Sequence, residues 1–430
     1  MTDDPNQSPD TTRPPSGSAP PAGCPAHNGA VALYGPRYQE NPAELYREMR
    51  REHGPVVPVV LQGDIPAWLV IGYRELHHVL SNPQLFARDA RRWNAWDRIP
   101  PDWPLMPYVG SPPSSLLSTE GAEHQRRVGV ISDALAAVDQ FSLKARCEEL
   151  ADRLIDNFAG RGEADLITDY AKPIPVLAVA KMFGLPDSEA PGVVRNITTA
   201  LDGAEGAVEA FQGIGATMQE LLDTKRERPG PDIVSRMLAH PAQLSAEELS
   251  QDLLLVLTGA QEVTANWIGN ALRLMLTDDR FALTLSGGRR SAGQALNEVL
   301  WEDTPGQNSL GRWAVRDTQL GGRRIKAGDA VIIGMAGANA DPQVRPDSYS
   351  GSAGNHAHLS FSHGEHGCPH PAPELGEVIA HTAVEVLLDR LPDVMLSVAP
   401  EELTWRPSFQ IRALSALPVK FTPAHVTGGR

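Results

Sequence analysis

Residues 246–276 constrain the fold more than any other stretch. AEELSQDLLLVLTGAQEVTANWIGNALRLML is apolar nearly all round a helical wheel. Ser245, followed three residues later by Glu248, gives it a capping-box start, in which hydroxyl and carboxylate satisfy the first unpaired N–H groups. At 1.5 Å per residue such a helix is ~47 Å long, enough to cross a whole domain. A helix apolar on every side is buried, so other elements have to pack around it. Its middle, TGAQEVTAN at 258–266, is nevertheless polar. Buried polar side chains cost free energy unless they are paired or used, which marks this stretch as a candidate for function.

The remaining pattern is mostly helical from about 120 to 302, broken by Pro and Gly clusters. Residues 42–53 read as a helix closed by Gly54. VVPVVLQGDIPAWLVIG at 56–72 places two apolar runs around a turn-forming QGDIP, a hairpin signal. Residues 311–334 read as short strands joined by Gly-containing turns. A coil follows at 336–367, and PAPELGEVIAHTAVEVLLDRL at 371–391 reads as an amphipathic helix with Pro in its first turn. No internal repeat is present. The expectation is one mainly α domain with a minor β-sheet at 28–425, although the length alone suggests about three domains. Residues 1–27, rich in Pro, Ser, Asp and Thr, are expected to be a disordered tail, and 426–430 a short C-terminal one.

Composition excludes several classes. The chain has 53 acidic against 38 basic residues and a formal charge of -15, which argues against nucleic acid or an anionic membrane surface as partner. Three cysteines in 430 residues cannot make a disulfide framework and fit a reducing cytoplasm. The start, Met1-Thr2-Asp3-Asp4, has neither the basic nor the apolar region of a signal peptide. No apolar run approaches the ~20 residues needed to span a bilayer; LLLVL at 253–257 runs straight into polar residues.

Of the three cysteines, only Cys368 has a distinctive setting. FSHGEHGCPHPAPEL at 361–375 is a glycine-bearing loop ending in Cys368 just ahead of a helix. A helix N-terminus is expected to lower the pKa of a nearby thiol and favour a thiolate. Two other readings stand beside it. One is a buried, inert thiol. The other is a zinc site, because His356, His358, His363, His366 and His370 cluster around the cysteine, though only one cysteine is available where zinc usually takes paired ligands.

The loop resembles that of the cytochrome P-450 superfamily, with Phe361, Gly364, His366 and Cys368 at the family's spacings. The resemblance covers about 30–425 and implies the P-450 fold. A haem b would lie between the central oxygen-activating helix and the helix after the cysteine loop, with Cys368 as the axial metal ligand. It also implies that Phe361 packs beside the sulfur, that Gly364 lets backbone amides approach it, and that His366 hydrogen-bonds a propionate. The family's usual Gly two residues after the cysteine is His370 here.

The same resemblance reads the central helix as small, Gly, any, acid, Thr, which makes Glu262 the acid that relays protons. The threonine position holds Val263, and Thr264 follows one residue, or ~100°, further round the helix. Three outcomes follow: a local bulge brings Thr264 into place as the catalytic hydroxyl, a substrate hydroxyl supplies the donor, or the cycle leaks peroxide or does not oxygenate at all. In ALNEVLWEDTP at 295–305, Glu298 matches the family's Glu-x-x-Arg helix, but Trp301 replaces the arginine, as in a group of actinomycete members that this chain resembles. The arginine's partner position in the coil aligns with Ala353, so both cations of the usual triad are expected to be absent, with Trp301 packing against the coil instead. In EGAEHQRRVG at 120–129, His124 matches a propionate-binding histidine, while Val128 stands where its companion arginine would be. Arg312, five residues before Asp317, matches the family's strand arginine, another propionate partner.

The leading expectation is therefore a monooxygenase acting on a small molecule with electrons from ferredoxin and ferredoxin reductase. Arg126 and Arg127 read equally well as docking cations for that partner or as a solvated helix face. A haem protein without ordinary turnover, acting as a sensor or partner-regulated module, is the alternative motivated by Val263 and Trp301. A zinc hydrolase is disfavoured for lack of a general base.

Overall fold

The computed structural model describes residues 29–100, 103–109, 115–186, 188–202, 206–278, 290–345 and 354–423. The tails expected at 1–27 and 426–430 lie outside them. The elements that position the site follow from short-range signals. Strand β1 (Val31–Ala32) precedes helix α1 (Pro42–His53), which starts where the Asn41 side chain accepts from the Glu44 N–H. It stops at Gly54, whose φ of 80° lies in the left-handed region that glycine enters without strain. Strands β2 (Val56–Leu61) and β3 (Ile65–Val70) form the expected hairpin, paired from Val56↔Val70 to Leu61↔Ile65.

After β4 (Phe86–Ala87) come helices α2 (Gly121–Ala136), α3 (Gln140–Asp156), α4 (Pro173–Met182), α5 (Ala207–Glu227), α6 (Ala246–Thr277) and α7 (Arg290–Glu302). Strands β5 (Ser309–Ala314) and β6 (Ala330–Ile333) and helix α8 (Ala372–Arg390) complete the frame. The six strands make one mixed sheet in the order β1-β2-β3-β6-β5-β4. A hairpin of Thr318–Leu320 with Arg323–Ile325 stands apart, and Glu163–Asp165, Met395–Leu396 and Pro418–Lys420 form a second small sheet.

Helix α6 runs through the centre as its composition requires. Its capping box is formed: the Glu248 N–H donates to Ser245 Oγ at 3.1 Å, and the Ser245 N–H to Glu248 Oε2 at 2.7 Å. Leu253, Leu257, Ile268, Leu272 and Met275 are fully buried, each contributing about 1.5–3 kcal/mol relative to exposure. Helices α4, α5, α7 and α8 all pack on α6. The helix that follows the cysteine loop therefore lies directly against the helix with the polar middle. Among the described residues, no helix is long and apolar enough to cross a membrane.

Candidate active site

The cysteine loop is closed by its own backbone. The Cys368 N–H donates to the Phe361 carbonyl at 2.9 Å, and the Gly367 N–H to the Gly364 carbonyl at 3.0 Å. Gly364 has φ 74°, and a Cβ there would lie 2.6 Å from the Leu80 carbonyl oxygen. The glycine is thus required by close approach of the helix Tyr73–Leu80, a neighbour that the sequence pattern did not identify. The Phe361 ring packs edge-on against Trp267 of α6, with centroids 5.8 Å apart, and joins the loop to the central helix.

Cys368 is exposed to solvent-sized space, yet enough protein surrounds it that burial pushes its thiol up to about 12, with Glu374 adding to the effect. This reverses the expectation of a thiol acidified by the helix end. Helix α8 begins only at Ala372, four residues after the cysteine. Deprotonation has to come from a bound metal cation, since metal binding releases the thiol proton.

Zinc is not that cation on the evidence of the side chains. Among the described residues, no group of three or more His, Cys, Asp or Glu could hold a metal ion. His363 stacks on His77 at 4.5 Å, and His370 pairs with Glu374 at 3.1 Å.

Beside the loop, β5 and α2 build a cradle for anions. Arg312 is buried, and its Nε and Nη1 have no hydrogen-bond partner; the same holds for His366 Nδ1. Burial, and then the neighbouring Arg88, hold the Arg312 pKa well below the usual guanidinium range. Burial and Arg312 push the His366 pKa down to about 2, so His366 is neutral and can act as an N–H donor. Orphaned buried donors are costly, and a carboxylate entering between them would satisfy both. The residues present therefore fit haem propionates. His124 is engaged differently from the expectation. Its Nδ1 meets Thr119 Oγ1 and its Nε2 the Glu365 carbonyl, each at 3.1 Å, and its ring lies 4.1 Å from that of His366. It braces the cysteine loop, leaving Arg312 and His366 as the open donors.

On α6, Glu262 lines a cavity of about 410 Å³ and lies 4.0 Å from Arg406 Nη1. The helix is regular α throughout Ala246–Thr277, without the bulge that would bring Thr264 round. Thr264 is buried, with its Oγ1 3.7 Å from where a Cβ on Gly376 of α8 would lie.

Two ionic features escaped the sequence. Arg345 pairs with Glu298 and, at 3.0 Å, with Glu302, so the triad keeps a coil cation. The position expected from the sequence, Ala353, lies outside the described residues; the cation is Arg345, eight residues earlier in the coil. Trp301 does pack on the coil: its indole N–H donates to the Asn355 carbonyl at 3.0 Å, and its ring meets His358 edge-on at 5.8 Å. Second, Arg127 is fully buried and doubly bonded to Asp252 of α6, while Arg126 pairs with Glu248. These arginines tie α2 to α6, which corrects the reading of Arg127 as a docking or solvated cation.

No family model matches the chain. It is 29% identical over 414 residues to the cytochrome P450 monooxygenase PikC of Streptomyces venezuelae, covering 93% of this chain and 96% of that protein. It is 29% identical over 402 residues to biflaviolin synthase CYP158A1 of Streptomyces coelicolor, covering 90% and 94%. Among solved structures, a mutant of the mixed-function P450 MycG in complex with mycinamicin IV superposes with TM-score 0.80 at 28% identity, covering 91% of this chain and all of that one. PksS of Bacillus subtilis gives TM-score 0.79 at 25% identity, over 91% of this chain. A lone cysteine loop packed on a long central helix, with an anion cradle beside it, defines a haem-thiolate oxidoreductase. The chain belongs to the cytochrome P450 superfamily, as a monooxygenase-type enzyme whose cofactor is haem b.

Proposed function

We propose that this enzyme oxidises a small organic molecule of specialised metabolism, with electrons supplied by ferredoxin through ferredoxin reductase. The relatives support the setting: biflaviolin synthase and the polyketide-biosynthesis enzyme PksS are both synthetic by name. The observation that carries the reading is the pair of orphaned buried donors, Arg312 and His366, beside the Cys368 loop. When bound, haem supplies oxygen activation, and its thiolate ligand pushes electron density onto the iron.

The chain's own residues then have distinct tasks. Cys368 would hold the haem iron through its sulfur. Arg312 and His366 hold carboxylates and fix the cofactor's orientation. Glu262 holds and passes a proton at its carboxylate, between the cavity and the centre of α6. Val263 offers a methyl where relatives of the usual pattern have a hydroxyl, and Thr264 faces α8. The missing hydrogen-bond donor is supplied by a hydroxyl on the substrate itself.

Reduced, carbon monoxide-treated protein should show the red-shifted band of thiolate ligation, and Cys368→Ala should lose it. Retention of that band in the variant would overturn the ligand assignment. Turnover with a surrogate ferredoxin system then separates the oxygenase from a second reading, a haem-binding module without ordinary turnover. That second reading is favoured by one observation, the burial of Thr264 against α8. Substrate-dependent product formation excludes it.

A further inference from the structure

Haem b carries two propionates, whereas Arg312 is a single cation. Helix α2 does not supply the second. Val128 stands where the resemblance calls for an arginine, and Arg126 and Arg127 are bound to Glu248 and Asp252. The strand beside Arg312 brings another guanidinium. Antiparallel pairing of β4 with β5 runs Phe86↔Ala314 and Ala87↔Trp313. Continued by one residue, this register sets Arg88 opposite Arg312. Opposite residues of an antiparallel pair project from the same face, with Cβ atoms ~4.5–5.5 Å apart. After burial, Arg88 is the largest influence lowering the Arg312 pKa, so the two charges are close. Like charges placed directly opposite destabilise a sheet, unless an anion lies against both.

Arg88 is fixed without using all its donors. Its Nε donates to the Leu117 carbonyl at 2.7 Å and its Nη1 to the Gly311 carbonyl at 3.2 Å. A Cβ on Gly311 would lie 3.1 Å from that Nη1, so glycine there leaves room for the guanidinium. Among the described residues, Nη2 has no hydrogen-bond partner. The neighbouring carboxylates have donors of their own. Glu120 Oε1 accepts from the Arg88 and Asp89 N–H groups at 2.6 and 2.8 Å, and Glu365 Oε1 from the Gly121 N–H at 3.2 Å. Burial lowers the Arg88 pKa to about 10, with Glu120 opposing, so the side chain stays charged at neutral pH. A planar guanidinium on a fixed support suits recognition of a carboxylate.

We propose that Arg88 is the second propionate cation of this protein, a positioning residue that takes over from the strand side the anchoring an arginine at position 128 would give. A carboxylate set against Arg88 and Arg312 engages the free Nη2 of one and the orphaned Nε and Nη1 of the other. It also turns a repulsive cross-strand pair into a bridged one. The inference rests on haem b as the cofactor and concerns how this chain holds it.

The test loads full-length apoprotein with haem or with haem dimethyl ester, which keeps the iron and the ring but removes both negative charges. Transfer to excess apomyoglobin measures the rate of loss. Arg88→Gln should lose haem at least about tenfold faster than the parent, the scale of one charge-assisted contact. The same variant should lose the ester within about twofold of the parent's rate. Arg88→Lys, which keeps the charge but not the fork, should lose haem more slowly than Arg88→Gln. An arginine that only clamps the Leu117 and Gly311 carbonyls would speed the loss of both cofactors alike. The proposal is overturned if Arg88→Gln holds haem as firmly as the parent, if it sheds haem and ester with equal acceleration, if it retains neither, or if Arg88→Lys loses haem as fast as Arg88→Gln. The carbon monoxide band of each loaded sample reports the Cys368 centre separately, so a negative result with a normal band leaves the oxygenase reading standing.

Discussion

The guanidinium carbon of Arg345 lies 5.9 Å from the centroid of the Trp301 ring. The same group neutralises Glu298, which is only 3% exposed. A buried carboxylate without its cation is costly, so the coil cation that ties this helix to the coil is kept while the helix's own arginine is exchanged for an indole.

Trp301→Ala should destabilise the holoprotein by about 3–5 kcal/mol, the usual cost of truncating a buried aromatic, and should speed haem loss. Arg345→Ala should also destabilise, because it removes the cation paired with the buried Glu298 and with Glu302. Trp301→Arg should also destabilise, because it sets a second cation beside Arg345 and removes the indole bond to Asn355. Denaturant unfolding measures all three. A Trp301→Arg protein as stable as the parent would refute the packing account.

Arg312 should show effects of opposite sign in the two forms of the protein. Without cofactor its two orphaned nitrogens are a liability, so Arg312→Met should stabilise the apoprotein by ~1–3 kcal/mol. With cofactor they are donors to a carboxylate, so the same change should accelerate haem transfer to apomyoglobin. A variant that lowers the melting temperature of the apoprotein would argue against the orphan assignment.

Arg127 and Asp252 form a buried pair between α2 and α6. Removal of either partner alone should cost ~3–5 kcal/mol, whereas a well-packed apolar pair such as Arg127→Met with Asp252→Leu should be near neutral. Arg126→Ala, at a half-exposed pair, should cost less than about 1 kcal/mol. If Arg127→Met alone weakens ferredoxin binding without changing stability, the residue faces the partner after all.

Oxygen use should be poorly coupled on substrates that lack a hydroxyl. Val263→Thr should raise product formed per reduced nicotinamide consumed and lower peroxide release. Thr264→Val should change neither, because its hydroxyl faces Gly376. A large loss of coupling in Thr264→Val would mean that the helix opens locally during turnover.

The sequence by itself determined what short-range chemistry controls. The capping box of Ser245 and Glu248 set the start of α6, Gly54 set the end of α1, and the QGDIP turn set the register of β2 with β3. The cysteine loop is equally local: Phe361, Gly364 and Cys368 lie within eight residues. Caps, turns and apolar periodicity act over a few positions, so they can be read from the order of residues. Only the tertiary structure decided which charges meet. Arg345 reaches Glu298 across 47 positions and Arg127 reaches Asp252 across 125, and nothing in the local pattern distinguishes these arginines from solvated ones. The same holds for the Cys368 thiol. Its place before a helix is legible and suggests acidity, but its environment is set by the protein packed around it. Desolvation is a property of that three-dimensional enclosure, and here it raises the thiol pKa.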